Sequence, residues 1–186
     1  MADTALANEL KDLINQFEIS KTELNSLLEG VSEEQFNKRP PSGGWSIAEC
    51  VDHLIITGKD YTRQIENGLK KAEKKNLLLK GSYKFSWIGK NFIKNVEPPV
   101  KRKFKNPARW TPDSKLSIQK VTDEYIVLQD RYIELLNKSK GFDILKVKLP
   151  SPATSLLRFS IYEMFHVNAA HQRRHLWQAD NVKKNL

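Results

Sequence analysis

Residues 159–178 read FSIYEMFHVNAAHQRRHLWQ and hold three of the four histidines of the 186-residue chain. Ser160 followed by Glu163 is a Ser-x-x-Glu capping box. In such a box the serine oxygen accepts from an amide that the first turn leaves without a partner, and the glutamate reaches back to the serine amide. A helix therefore starts at Ile161, with Phe159 and Met164 placed as a hydrophobic staple, and nothing before Asn185 breaks it. His171 and His175 stand four residues apart, so their imidazoles leave one face about 6 Å apart, a gap that two nitrogens on one metal ion can close. His166 lies about 140° around the helix from His171 and faces elsewhere, toward packing or a dimer contact.

Residues 40–54, PPSGGWSIAECVDHL, contain the remaining histidine, His53. Ser46 and Glu49 form a second capping box, Trp45 and Cys50 a second staple, and His53 follows two turns into the helix. The echo between the two phrases is shared helix-start chemistry rather than duplication. His53, His171 and His175 together make a candidate set of three metal ligands.

The order Phe36, Arg39, Pro40, then Trp45-Ser46, then His53, and finally His-x-x-x-His at His171 and His175 resembles the DinB-like (YfiT-like) superfamily of metal-binding four-helix bundles. The resemblance spans nearly the whole chain. It implies an all-α, up-down-down-up four-helix bundle, a divalent ion held by His53 from helix two and by His171 and His175 from helix four, and often a homodimer. Some members are thiol-dependent transferases or isomerases that use bacillithiol, mycothiol or glutathione; many have no known activity.

Length and composition suit a single domain over residues 1–186 with a core of its own. Hydrophobic residues make up 39% and charged residues 28%, and no apolar run reaches the length of a membrane span. The start, MADTALANELKDL, lacks the basic and apolar blocks of a signal peptide, and a single cysteine cannot form an internal disulfide, so the cytoplasm is the expected compartment. The net charge of +9 is local: residues 70–105 carry twelve Lys or Arg against two Glu. Such a stripe, with Tyr83, Phe85, Trp87, Phe92 and Phe104, is one pattern of a nucleic-acid or membrane surface. Here those aromatics lie among Leu77, Leu78, Leu79, Ile88 and Ile93, the pattern of an amphipathic connection docked on a bundle. Neither a nucleic-acid nor a membrane partner is expected.

Helix one runs through Leu6, Leu10, Leu13, Phe17, Leu24, Leu27 and Leu28 and stops at Gly30. Ser32 and Gln35 indicate a short turn. Helix two runs from Ile47 to about residue 75. The connection from there to Thr111 is far longer than antiparallel neighbours need, so helices two and three are expected to be parallel and joined by a crossover, helical in part over residues 87–94. Helix three is expected to open with Thr111 as cap and Pro112 at its first position, and to end near Asn137. A short strand is expected over Ile144 to Leu149. His53 lies about 10 Å below the start of helix two and His175 about 15 Å from the end of helix four, so antiparallel packing brings the histidines to similar depth.

The same topology places Lys101, Arg102, Lys103, Lys105 and Arg109 near the open side of the site, as candidates to bind an anionic thiol. Glu49, one turn before His53, is the weak candidate for a general base, since the capping box claims it first. Asn168 and Gln178 share the histidine stripe and are candidates to orient an imidazole or face the cavity; Cys50 is read as a buried structural cysteine. Three imidazoles suit zinc, nickel, copper or iron, with zinc or nickel expected. The expected function is a metalloenzyme acting on a small molecule, with a thiol such as bacillithiol as cosubstrate in an S-transferase or isomerase. The alternatives are a metal-dependent hydrolase and a metal-binding domain without catalysis.

Overall fold

The structure, a computed structural model, describes residues 2–79, 84–99, 106–153 and 156–186, with side chains from residue 8 onward. Among them the helices are α1 (Ala2–Leu28), α2 (Glu33–Asn37), α3 (Ile47–Lys74), α4 (Trp87–Val96), α5 (Ile118–Lys138) and α6 (Ile161–Lys183). Helices one to four of the sequence reading are α1, α3, α5 and α6. Among the described residues the architecture is all-α apart from one two-stranded antiparallel ribbon, β1 (Lys148–Pro150) with β2 (Arg158–Ser160), in which Leu149 faces Phe159. No helix among the described residues is long and apolar enough to cross a membrane.

Both capping boxes form. Ser46 Oγ accepts from the Glu49 amide at 3.1 Å, and Ser160 Oγ from the Glu163 amide at 3.2 Å. Each glutamate returns the bond to its serine amide at 2.8 Å. A third box, Ser32 with Gln35, starts α2 where a turn was expected. Gly30, at φ 72°, supplies the left-handed residue that ends α1.

Cross-helix contacts fix the directions of the long helices. Lys59 reaches Glu124 and Arg131 reaches Glu66, so α3 and α5 advance together. His53 lies beside His175 while Gly68 lies against Ile161, so α6 runs against α3. Phe17 stacks on Tyr132 at 4.6 Å while Ser20 meets the Tyr125 hydroxyl, so α5 runs against α1. Buried Phe17, Ile65, Tyr132 and Phe165 belong to one core cluster, and Leu24, Phe36, Val51 and Tyr125 to a second. Each large side chain fully buried in this way stabilises the fold by about 1.5–3 kcal/mol. Part of the crossover is docked on this frame: α4 packs on α6, and Leu77, Phe92 and Ile93 pack against the first cluster.

Two sequence readings are corrected. Helix α5 begins at Ile118, not after Thr111-Pro112. The segment between is held by partners from elsewhere in the chain: Asp52 accepts from the Asp113 amide at 2.9 Å, and the Asn37 side chain brackets Leu116 with bonds of 2.7 and 2.9 Å. Lys115 sits at φ 67°, which no continuing helix tolerates. The Ser117 side chain makes no capping bond; the Glu33 carboxylate accepts from the Ile118 amide at 2.9 Å. The strand expected over Ile144 to Leu149 begins later, at Lys148, because its partner is the chain entering α6. Ile144 is buried in the first core cluster instead.

Candidate metal centre

His53 comes from the second turn of α3, and His171 and His175 from one face of α6. The ring centroids lie 5.2 Å (His53 to His171), 4.7 Å (His53 to His175) and 4.6 Å (His171 to His175) apart. One nitrogen from each falls within 4.8 Å of the others, and no other such set of histidine, cysteine or acidic groups occurs among the described residues. His166 turns away, packing on Phe85 and Tyr162. Cys50 is fully buried, and burial pushes its thiol pKa up.

The set is pre-oriented. His53 Nδ1 lies 3.2 Å from the Trp110 carbonyl, which can only accept, so Nδ1 carries the proton and Nε2 is left with its lone pair. Trp110 ends a 3₁₀ turn, Ala108–Trp110, and its indole N–H donates to Asp60 on α3 at 2.8 Å. Trp45 packs its ring 4.8 Å from His53 and 5.7 Å from His175. Trp45, half of the expected staple with Cys50, packs against the second core cluster, and its ring also covers the histidines.

Burial dominates the electrostatics. It pushes His53 below the ordinary imidazole range, with the Trp110 bond acting the other way. Burial, then His53 and Arg174, push His171 down to about 3. Burial, then His171, His53 and Arg174, push His175 well down, while Gln178 acts to raise it. All three imidazoles are therefore neutral near pH 7, the form that binds metal. His175 Nδ1 is buried with no hydrogen-bond partner among the described residues. A neutral three-nitrogen donor set with one orphaned nitrogen fits a divalent ion.

The histidines open on a cavity of about 370 Å³ lined mainly by apolar groups, among them Tyr61, Phe92, Trp110 and Leu157. A model of the DinB superfamily matches residues 16–179. The chain belongs to the DinB superfamily. No curated protein and no solved structure matches it. The span matched by the DinB superfamily takes in all three histidines and the cavity they face.

Of the other residues named from sequence, Glu49 is engaged as expected by the cap, and Arg39 adds a two-pronged contact to its carboxylate. Burial raises the Glu49 pKa, but Arg39 and the Ser46 amide outweigh it and hold the group below the ordinary range. Asn168 is committed to the core: it accepts from the Tyr132 hydroxyl at 2.7 Å and donates to the Met164 carbonyl, and neither bond reaches an imidazole. Arg109 lies over the Trp110 ring at 5.0 Å, bonded to Asp60 and the Pro152 carbonyl. Lys101, Arg102, Lys103 and Lys105 lie outside the described residues. Sequence reasoning missed Arg174, which lines the cavity. Its place three residues after His171 was the available signal, since that spacing keeps a residue on the same helix face.

Proposed function

We propose that this protein is a metal-dependent, thiol-using S-transferase or isomerase in which His53, His171 and His175 hold a divalent ion. The observation that carries the reading is the convergence of three neutral imidazoles on an apolar cavity that has no aspartate or glutamate among its described lining residues. An ion held by three neutral ligands keeps its full charge and lowers the pKa of a thiol placed beside it, much as zinc acidifies water.

The chain's own residues supply the rest. Trp110 fixes the His53 tautomer, while Trp45, Trp110 and Leu157 keep the pocket apolar and limit water. In the transfer itself the thiolate sulfur forms a bond to an electrophilic carbon, and the bond from that carbon to its leaving group breaks, the electron pair departing with the leaving group. A hydrolase of this design needs a carboxylate free to take a proton from water. Glu49, the carboxylate one helical turn before His53, is held by Ser46 and Arg39.

Elemental analysis should find about one divalent ion per chain, lost in His53→Ala, His171→Ala and His175→Ala and retained in His166→Ala. The loaded protein, offered an electrophile together with bacillithiol, mycothiol or glutathione, should turn over only with a thiol present. Thiol-independent ester or amide hydrolysis would reverse the assignment. Inactivity in both assays would leave a metal-binding domain.

A further inference from the structure

Helix α4 has two sides of different composition. At about 100° per residue, Gly89, Phe92, Ile93 and Val96 share one of them. That side is spent on the fold: Gly89 and Val96 are buried, and Phe92 and Ile93 pack against the first core cluster. The other side carries Trp87, Ile88, Lys90, Asn91 and Lys94. Trp87 is 79% exposed and Ile88 51%, and no other aromatic side chain among the described residues is as exposed as Trp87. Lys84, Lys90 and Lys94 are exposed as well, and none of them pairs with a carboxylate among the described residues. Residues 84–96 contain three lysines and no Asp or Glu. The expectation of a docked connection therefore holds for one side of α4 only.

The fold does not need the outward side to be apolar. The helix is fixed at its start, where the Ser86 amide donates to Glu163 at 2.7 Å and Ser86 Oγ accepts from the Gly89 amide at 3.0 Å. An exposed tryptophan and isoleucine flanked by unpaired lysines complement a surface that is anionic outside and apolar just beneath, the profile of an anionic bilayer. Two other occupants fit less well. Single-stranded nucleic acid would stack on Trp87, but Ile88 has no π face, and the Asn91 and Asn95 amides donate to the Trp87 and Asn91 carbonyls rather than outward. A protein partner needs about 800 Å² on each side, more than one face of a helix about 15 Å long provides.

We propose that the outward side of α4 docks on anionic lipid bilayers, with Trp87 and Ile88 seated at headgroup level and Lys84, Lys90 and Lys94 against the lipid charges. This is attachment to a surface, with no segment crossing it. The docking side backs onto the candidate metal centre, since Phe92 and Val96 line its cavity from the opposite side of the same helix. The inference does not depend on what the histidines hold.

The test is flotation of the full-length protein with vesicles of phosphatidylcholine, alone or with about 30% phosphatidylserine, at about 0.1 M salt. The anionic vesicles should bind at least about tenfold more tightly, and raising the salt to about 0.5 M should remove most of the difference. Trp87→Ser combined with Ile88→Ser should weaken binding about tenfold, and Lys90→Glu combined with Lys94→Glu by a similar factor. Brominated lipid in the anionic vesicles should quench tryptophan fluorescence, and Trp87→Phe should remove that quenching. Thermal melts check that the variants fold; if the Trp87 and Ile88 pair does not, the lysine pair and the quenching decide. Binding that ignores lipid charge, wild-type binding in either folded double variant, or quenching that survives Trp87→Phe would overturn the proposal. So would tighter binding of a single-stranded RNA oligonucleotide than of the vesicles, or self-association that Trp87→Ser abolishes. His53→Ala should bind vesicles as the wild type does, so a failed metal assignment and a failed docking surface give different results.

Discussion

Helices α3 and α6 begin with the same four-residue grammar, Ser46 to Glu49 and Ser160 to Glu163, and both glutamates are buried. What differs is what else holds them. Glu49 is gripped by Arg39 from the linker just before its own helix, on a side chain that is 63% exposed. Glu163 accepts from the Ser86 amide at 2.7 Å and from Lys148 at 3.0 Å, so it fastens the start of α4 and strand β1 to the start of α6. One cap is a local device two turns from a metal-ligand candidate. The other is a joint between three segments. Local sequence therefore specifies that a helix begins, while the remote partners decide whether the beginning serves the site or the fold.

Four substitutions and one control sharpen this contrast. Removing the joint should cost most: Glu163→Ala is expected to lose about 3 kcal/mol in chemical denaturation, since it strands Lys148 and two amides, while leaving metal stoichiometry unchanged. The pH dependence follows from the same bonds. Burial alone would raise the Glu163 pKa, but Ser86, Ser160 and Lys148 bring it to about 2, below its unfolded value of about 4.3. The stabilisation is complete above about pH 4.3 and is lost as pH falls toward 2. Glu163→Gln should flatten that part of the acid limb; an unchanged limb would show that the carboxylate is not what titrates.

Next in size is Gly89→Ala on α4. A Cβ there would meet the Glu163 carboxylate, so a loss of about 1–2 kcal/mol is expected. In a double-mutant cycle it should add little to Glu163→Ala, because both break one joint. Additive losses would disprove the connection.

At the other cap the expected effect is functional. Glu49→Ala should weaken metal affinity about tenfold in a protein that still folds, because the first turn of α3 aims His53. Unchanged affinity would reduce Glu49 to a helix cap and nothing more. Arg39→Ala, the control, should produce a smaller change that salt removes, since its charge stands in solvent.

The same contrast explains what could be read from sequence. Capping boxes span four residues, and the pairing of His171 with His175 is one helical turn, so both were legible locally. His53 was legible because its phrase repeats that grammar and its depth matches. The start of α5 was not, because its cap is Glu33 from α2 and its preceding loop is shaped by Asn37 and Asp52. Thr111-Pro112 is a sound local signal that tertiary bonds override. The Trp110 carbonyl had no signal at all, since any residue could supply that acceptor. Asn168 shares the histidine stripe in sequence, yet it is taken by Tyr132 across the core.

Trp110 holds α3 at two points, its carbonyl on His53 and its indole on Asp60, and its carbonyl also accepts from Asn106 at 2.9 Å. The segment 106–110 and the imidazole thus order together, and the entropy of orienting that ring is spent during folding, before any ion could be captured. Linkage then runs in both directions. An ion resting on His53 Nε2 would tighten the bond on Nδ1, slow the exchange of amides in this turn, and make the end of the crossover report whether the site is filled.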